Sequence, residues 1–325
     1  DYLTSVGKLE FASELSSGFD SSLVAYWLKK VSPRHFICYS TYSPLIYDDS
    51  NPEIVTKFSK LHGLTNKFID ISNHFPFANL SNVQEAKHNF YITDYGFEKV
   101  FFEYNYLTNS REKETVLFTG HGGDELYHSF AMENTLRFGV QRTYFDLLNY
   151  TKSWLNLVLT PKGIKILVNK KRFSQKRIYP SPASFSVSVL GQMYFPLFWE
   201  SGVWPLTPLD DPKLVNVAKR MPKNLQNEEN IKLKLWSSKQ DIFIKEQFIT
   251  KGGPDKFHHR FITEKNDMII LALKKSVLGE MGLIRNLDLI KELENKNSSF
   301  FANNEIPLFL QALIQLEIFL QNTVL

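Results

Sequence analysis

The 325 residues are 43% hydrophobic and 22% charged, a balance that excludes an intrinsically disordered chain, a collagen-like chain and a coiled-coil rod. With 27 Phe and aromatics at 14%, material for a core is ample. The 38 basic and 34 acidic residues leave a net charge of +4, scattered rather than gathered in a run, so no nucleic-acid partner is expected.

A single cysteine, Cys38, excludes an intrachain disulfide framework and a cysteine-rich zinc site, and a reducing, cytoplasmic setting is expected. No apolar run reaches the ~18–20 residues of a membrane helix. The most apolar stretch, Ile306 to Leu325, is broken by Gln311, Gln315, Glu317 and Gln321 and reads as a packed terminal helix, so no membrane partner is expected. Beginning at Asp1, without an initiator Met or a signal segment, the chain reads as a fragment or a processed chain.

In chain order, Lys8 to Leu15 alternates as a strand and runs into the small-residue turn Ser16-Ser17-Gly18. Ser21 to Lys30 has helical spacing with two lysines in its last turn. His35 to Ser40 reads as a second strand, and Asn51-Pro52-Glu53-Ile54 opens a helix that stops at Gly63. Lys67 to Ile71 is a third strand, Phe97 to Leu107 a helix, and Thr115 to Gly120 a fourth strand. This alternation predicts an α/β fold with a parallel sheet and flanking helices, with ligands beyond the carboxyl ends of the strands.

From about Met132 onward strands are scarce, and Lys213 to Arg220, Asp267 to Leu278 and Asn286 to Leu293 carry helical periodicity. A mainly helical C-terminal half is expected. Ser181 to Ser188 is the most loop-like stretch, read as a mobile segment near a site. His258-His259, as neighbours, do not face one point and are read as surface or loop residues.

Two turns carry the chemistry. Leu15-Ser16-Ser17-Gly18-Phe19-Asp20-Ser21-Ser22 joins a strand end to a helix start. Its small residues let N–H groups and hydroxyls converge beside the positive end of a helix, a receptor for phosphate. Asp20 fits such a site if Mg²⁺ lies between its carboxylate and the phosphates. Phe118-Thr119-Gly120-His121-Gly122-Gly123-Asp124-Glu125-Leu126 repeats the composition at the same kind of junction. Between parallel strands, Asp20 and Asp124 can share a magnesium. Read singly, each turn is equally a capped or acid-led helix start.

The first turn resembles the pyrophosphate-binding loop of the N-type ATP pyrophosphatases, Ser-Gly-Gly-x-Asp-Ser, with Ser17 where the family usually has Gly. With the second turn, the chain resembles the synthetase domain of asparagine synthetases. Pro205-Leu206-Thr207-Pro208-Leu209-Asp210-Asp211-Pro212-Lys213-Leu214-Val215, with Ala218 and Met221-Pro222, is similar to the family's Pro-Phe-Leu-Asp segment, and Lys251-Gly252 to its catalytic Lys-x-Gly. Leu278 to Ile284, with Leu316-Glu317-Ile318-Phe319-Leu320, resembles the lasso-peptide-cyclase branch.

The resemblance implies an adenine nucleotide α-hydrolase-like, PP-loop fold. Residues 1–140 would form the nucleotide-binding core and 141–325 a mostly helical part completing the site, all within one synthetase domain. It implies an ATP-dependent ligase, with ATP and Mg²⁺ as cofactors, that adenylates a carboxylate, releases pyrophosphate and passes the acyl group to an amine. Ser16, Ser17, Gly18, Ser21 and Ser22 would hold the pyrophosphate, Asp20 and Asp124 the Mg²⁺, Thr119 and Gly120 the adenosine or α-phosphate side, and the backbone around Tyr39 and Ser40 the adenine. Lys251 would stabilise charge on phosphorus and on the tetrahedral carbon; by residue type alone it reads as a surface lysine.

His121 stands where ordinary asparagine synthetases carry Glu and β-lactam synthetases Tyr, and it reads either as a general base or as a turn histidine bonded to its own loop. It favours a specialised peptide or natural-product ligase over a housekeeping enzyme. The expected partners are a small-molecule or peptide carboxylate and an amine donor. The relatives that use glutamine add a glutaminase domain with an N-terminal cysteine; such a domain would lie upstream of Asp1. A glutamine-dependent asparagine synthetase and an inactive nucleotide-binding relative are the alternative readings.

Overall fold

Five short parallel segments define the sheet. The computed structural model describes residues 10–32, 34–43, 50–73, 114–123, 156–166, 202–220, 242–243, 255–295 and 305–324. They fall in two compact units: residues 1–72, 99–133 and 181–253 belong to the first, and 73–98, 134–180 and 254–325 to the second.

In the first unit the strands are β1 (Glu10–Glu14), β2 (Phe36–Tyr42), β3 (Thr65–Asp70), β4 (Thr115–Phe118) and β5 (Val203–Leu206). All four pairings are parallel, in the order β3-β2-β1-β4-β5. The central strand β1 hides Phe11, Ala12 and Ser13 together, as a strand covered on both faces must. Helix α1 (Phe19–Val31) follows β1, with Asp20 in its first turn and Lys29 and Lys30 in its last, both favourable to the helix dipole. Helix α2 (Ser50–His62) follows β2 and ends at Gly63, whose φ of 61° is the left-handed stop expected of that glycine. Phe11, Leu15, Phe19, Leu28, Phe36, Cys38, Phe58, Val116 and Phe243 form one apolar core, with Phe19 and Phe243 stacked at 4.5 Å.

The fifth strand corrects the sequence reading, which placed no strand in this part of the chain. Val203-Trp204-Pro205-Leu206 pairs with β4 at the end of the strand order, where Pro205 is tolerated because, among the described residues, one side of the strand has no ladder to donate to. A 3-10 turn (Pro208–Asp210) and helix α3 (Pro212–Lys219) follow.

The second unit is helical among its described residues: α4 (Asp255–Glu264), α5 (Asn266–Lys274), α6 (Val277–Glu280), α7 (Asn286–Glu294) and α8 (Glu305–Val324). Helix α8 packs on α4, α5 and α6, and α5 packs on α7. Phe261, Ile269, Leu273, Leu289 and Ile314 are buried there. The helix expected over Asp267 to Leu278 is two helices, because the Ser276 hydroxyl accepts the Gly279 N–H at 2.8 Å and starts α6 afresh. His258 and His259 lie within α4 rather than in a loop. Leu159 bridges Ile284, and the Thr160 hydroxyl donates to the Gly282 carbonyl at 2.6 Å. No described helix is long and apolar enough to cross a membrane. The expected helix Phe97 to Leu107, the loop Ser181 to Ser188 and Met221-Pro222 lie outside the described residues.

Candidate functional site

From β1 the chain moves to one side of the sheet for β2 and β3, then returns to add β4 and β5 on the other. The crevice beyond the carboxyl ends of β1 and β4 is therefore the point at which strand order reverses, the place where open parallel sheets bind ligands. The two small-residue turns leave the sheet at these two strand ends.

The first turn is folded onto its own helix. The Ser16 N–H donates to the Ser21 hydroxyl at 3.0 Å, and the two hydroxyls are 2.7 Å apart. The Gly18 N–H donates to the Ser16 hydroxyl at 3.0 Å, and the Ser22 hydroxyl donates to the Ser16 carbonyl at 3.2 Å. Ser21 and Ser22 are buried, while Ser16 and Gly18 are exposed at the mouth. Gly18 caps α1 in extended conformation, φ −73° and ψ 156°. The positive end of the helix dipole at this turn favours an anion.

The second turn lies against the first. The Thr119 N–H reaches the Leu206 carbonyl at 2.9 Å, which ties the turn to β5. The His121 N–H points to the Thr119 hydroxyl at 3.4 Å, Gly122 has φ 90°, and the Gly123 N–H donates to the Gly120 carbonyl at 3.3 Å. A Cβ on Gly120 would sit 2.7 Å from the Ser21 nitrogen, and a Cβ on Gly123 would collide with the Asp20 carboxyl group. Both glycines are needed for the approach, since real Cβ atoms do not come so close. Asp20 Oδ1 is buried in this contact.

Of the residues singled out in the sequence, Ser16, Ser17, Gly18, Asp20, Ser21, Ser22, Thr119, Gly120 and His121 thus fall on two touching turns. Tyr39 and Ser40 are on β2 beside them: the Tyr39 carbonyl accepts the Leu15 N–H at 2.8 Å, and the Ser40 hydroxyl donates to the Leu15 carbonyl. Asp124 and Lys251 lie outside the described residues. Among the described residues, no three His, Cys, Asp or Glu side chains gather as a metal set. The donor set present suits a phosphate chain carrying a divalent cation: a helix start, two exposed small residues, and one carboxylate held against a glycine backbone. Cys38 is a core residue of β2, not a site residue; burial pushes its thiol up to about 12, with Lys29 opposing.

Sequence reasoning did not single out Gly123 as the floor beneath Asp20, nor Asn66 on β3. The Gly122-Gly123 pair marked the first. No signal marked the second, because the strand read from the sequence starts at Lys67, whereas β3 starts at Thr65 and includes Asn66.

No curated protein matches the chain. The asparagine synthase family model matches residues 5–176, just over half of it, including both turns. The chain belongs to the asparagine synthase family, whose activity is that of an ATP-dependent amide-forming synthetase.

Proposed function

We propose that the chain is a ligase that joins a specialised carboxylate, a peptide or a natural-product acid, to an amine through an acyl-adenylate. The observation that carries this is the contact between the two turns at the switch point, where neither Gly120 nor Gly123 has room for a side chain. A carboxylate oxygen attacks the α-phosphorus of ATP and pyrophosphate leaves; an amine then attacks the acyl carbon, AMP leaves, and one proton is released. Ser16, Ser17 and Gly18 face the β- and γ-phosphates, and Ser21 and Ser22 hold the turn that presents them. Thr119 and Gly120 border the α-phosphate, and the β2 backbone at Tyr39 and Ser40 borders the adenine. Asp20 and Asp124, the latter joined to Gly123 by one peptide bond, would hold Mg²⁺, which supplies charge neutralisation on the phosphates. Lys251 stabilises the charge built up in both transition states, and His121 accepts the amine proton.

Exchange of labelled pyrophosphate into ATP with a panel of carboxylates tests the chemistry. Exchange with a peptide or natural-product acid, abolished by Asp124→Ala, is the expected result. Exchange with aspartate alone would favour asparagine formation, for which the family match is the supporting observation. No exchange with any acid, or an unaffected Asp124→Ala, removes the proposal.

A further inference from the structure

The peptide linking Leu15 to Ser16 opens the nucleotide turn, and it is held at both ends. Its N–H donates to the Ser21 hydroxyl at 3.0 Å. Its carbonyl accepts the Ser40 hydroxyl at 2.5 Å, and the same hydroxyl lies 2.9 Å from Asn66 Oδ1. A serine hydroxyl has one proton, and the Leu15 carbonyl is the nearer acceptor. Asn66 Nδ2 is buried without a partner in this orientation. A half-turn of the amide answers both conflicts: Nδ2 then donates to Ser40 Oγ, and the Ser40 hydroxyl donates to the Leu15 carbonyl alone. The exchange leaves a carbonyl oxygen in the buried position, which is less costly than an orphaned N–H.

The geometry points to Asn66 as a positioning residue for the nucleotide turn, acting through Ser40 on the Leu15–Ser16 peptide. The relay crosses three adjacent strands: from Asn66 near the start of β3, in register with Cys38, to Ser40 two residues further along β2, and on to Leu15 just past the end of β1. Asn66 touches no nucleotide in this scheme. It fixes the rotation of one peptide plane, and with it the direction of the Ser16 N–H and the seat of the Ser16 hydroxyl, which Gly18 also uses. Phosphates beyond the α position meet this turn, so the effect belongs to ATP and not to AMP. The inference rests on the proposed nucleotide role of the turn.

Calorimetric titration of MgATP and of AMP into the whole chain tests it, with wild type, Asn66→Ala, Asn66→Asp, Ser40→Ala and the double variant Asn66→Ala/Ser40→Ala. Asn66→Asp keeps the shape but, ionised, cannot donate to Ser40, so it guards against a mere packing loss. In both Asn66 variants MgATP affinity should fall about tenfold, the scale of one oriented hydrogen bond, while AMP affinity stays within about twofold. The double variant should bind MgATP no more weakly than Ser40→Ala, because both act through one peptide. Equal losses for ATP and AMP, wild-type MgATP affinity in Asn66→Asp, or additive losses in the double variant overturn the relay. A wild type that binds neither nucleotide instead removes the nucleotide reading itself.

Discussion

A Cβ at Gly120 would fall 2.7 Å from the Ser21 nitrogen and 3.0 Å from its Cα, both backbone atoms that cannot swing aside. Gly120→Ala should therefore cost about 1–3 kcal/mol, as overpacking does, read as a lower urea midpoint, and should weaken MgATP binding as well. An unchanged midpoint would mean that the two turns do not touch. Cys38 offers a second test at this scale. Its side chain is fully buried, and its thiol is pushed from 9.0 to about 12. A folded-state value above the unfolded one gives stability that is complete below about pH 9 and is lost as pH climbs towards 12. Urea titrations should show wild-type stability falling by up to about 1.4 kcal/mol per pH unit above pH 9, a slope that Cys38→Ala lacks. In the folded chain the thiol should also resist disulfide reagents until unfolding exposes it.

Helix α6 is four residues long, too short to persist by its own propensity. It stands because α8 delivers Glu317 to its start. That buried carboxylate accepts from the Ser276 hydroxyl at 2.8 Å, from the Val277 N–H, from the Leu278 N–H at 3.2 Å and from Gln321 Nε2 at 3.0 Å. Gln321 Nε2, whose two N–H groups are shared among three acceptors, also lies 2.8 Å from the Ala272 carbonyl and 2.9 Å from the Lys275 carbonyl at the end of α5. Glu317→Ala would leave several buried donors unmatched and should cost about 2–4 kcal/mol in urea unfolding, with Glu317→Gln costing less. An Ala variant as stable as wild type would show that solvent replaces the carboxylate. These elements also mark how far sequence alone reaches. Strands β1, β2 and β4, α1 and the Gly63 stop were legible because their apolar spacing and end signals are local. The break before α6 was not, since Ser276 caps a new helix only with Glu317 from a distant segment beside it. Nor was β5, where Pro205 argues against a strand until the edge position is known.

At the scale of the whole chain, the sheet order is what turns two ordinary-looking glycine turns into one site. Either turn, read alone, is a helix start with small residues. Only the adjacency of β1 and β4, with β2 and β3 on one side and β5 on the other, brings Gly123 onto Asp20. The residue types of the site were legible in the sequence; their mutual support, including Asn66 behind Ser40, needed the register of three strands. A ligand held by the native site alone must stabilise the fold, by about 2.7 kcal/mol at a hundredfold excess over its dissociation constant. The most direct measurement is therefore calorimetric titration of MgATP into wild type and Asp20→Asn, with the melting temperature followed in parallel. Wild type is expected to bind and to melt higher with nucleotide, and Asp20→Asn to lose at least about tenfold in affinity. A wild type that takes up no MgATP, or an Asp20→Asn chain that binds it equally well, contradicts a nucleotide site built where the two turns meet.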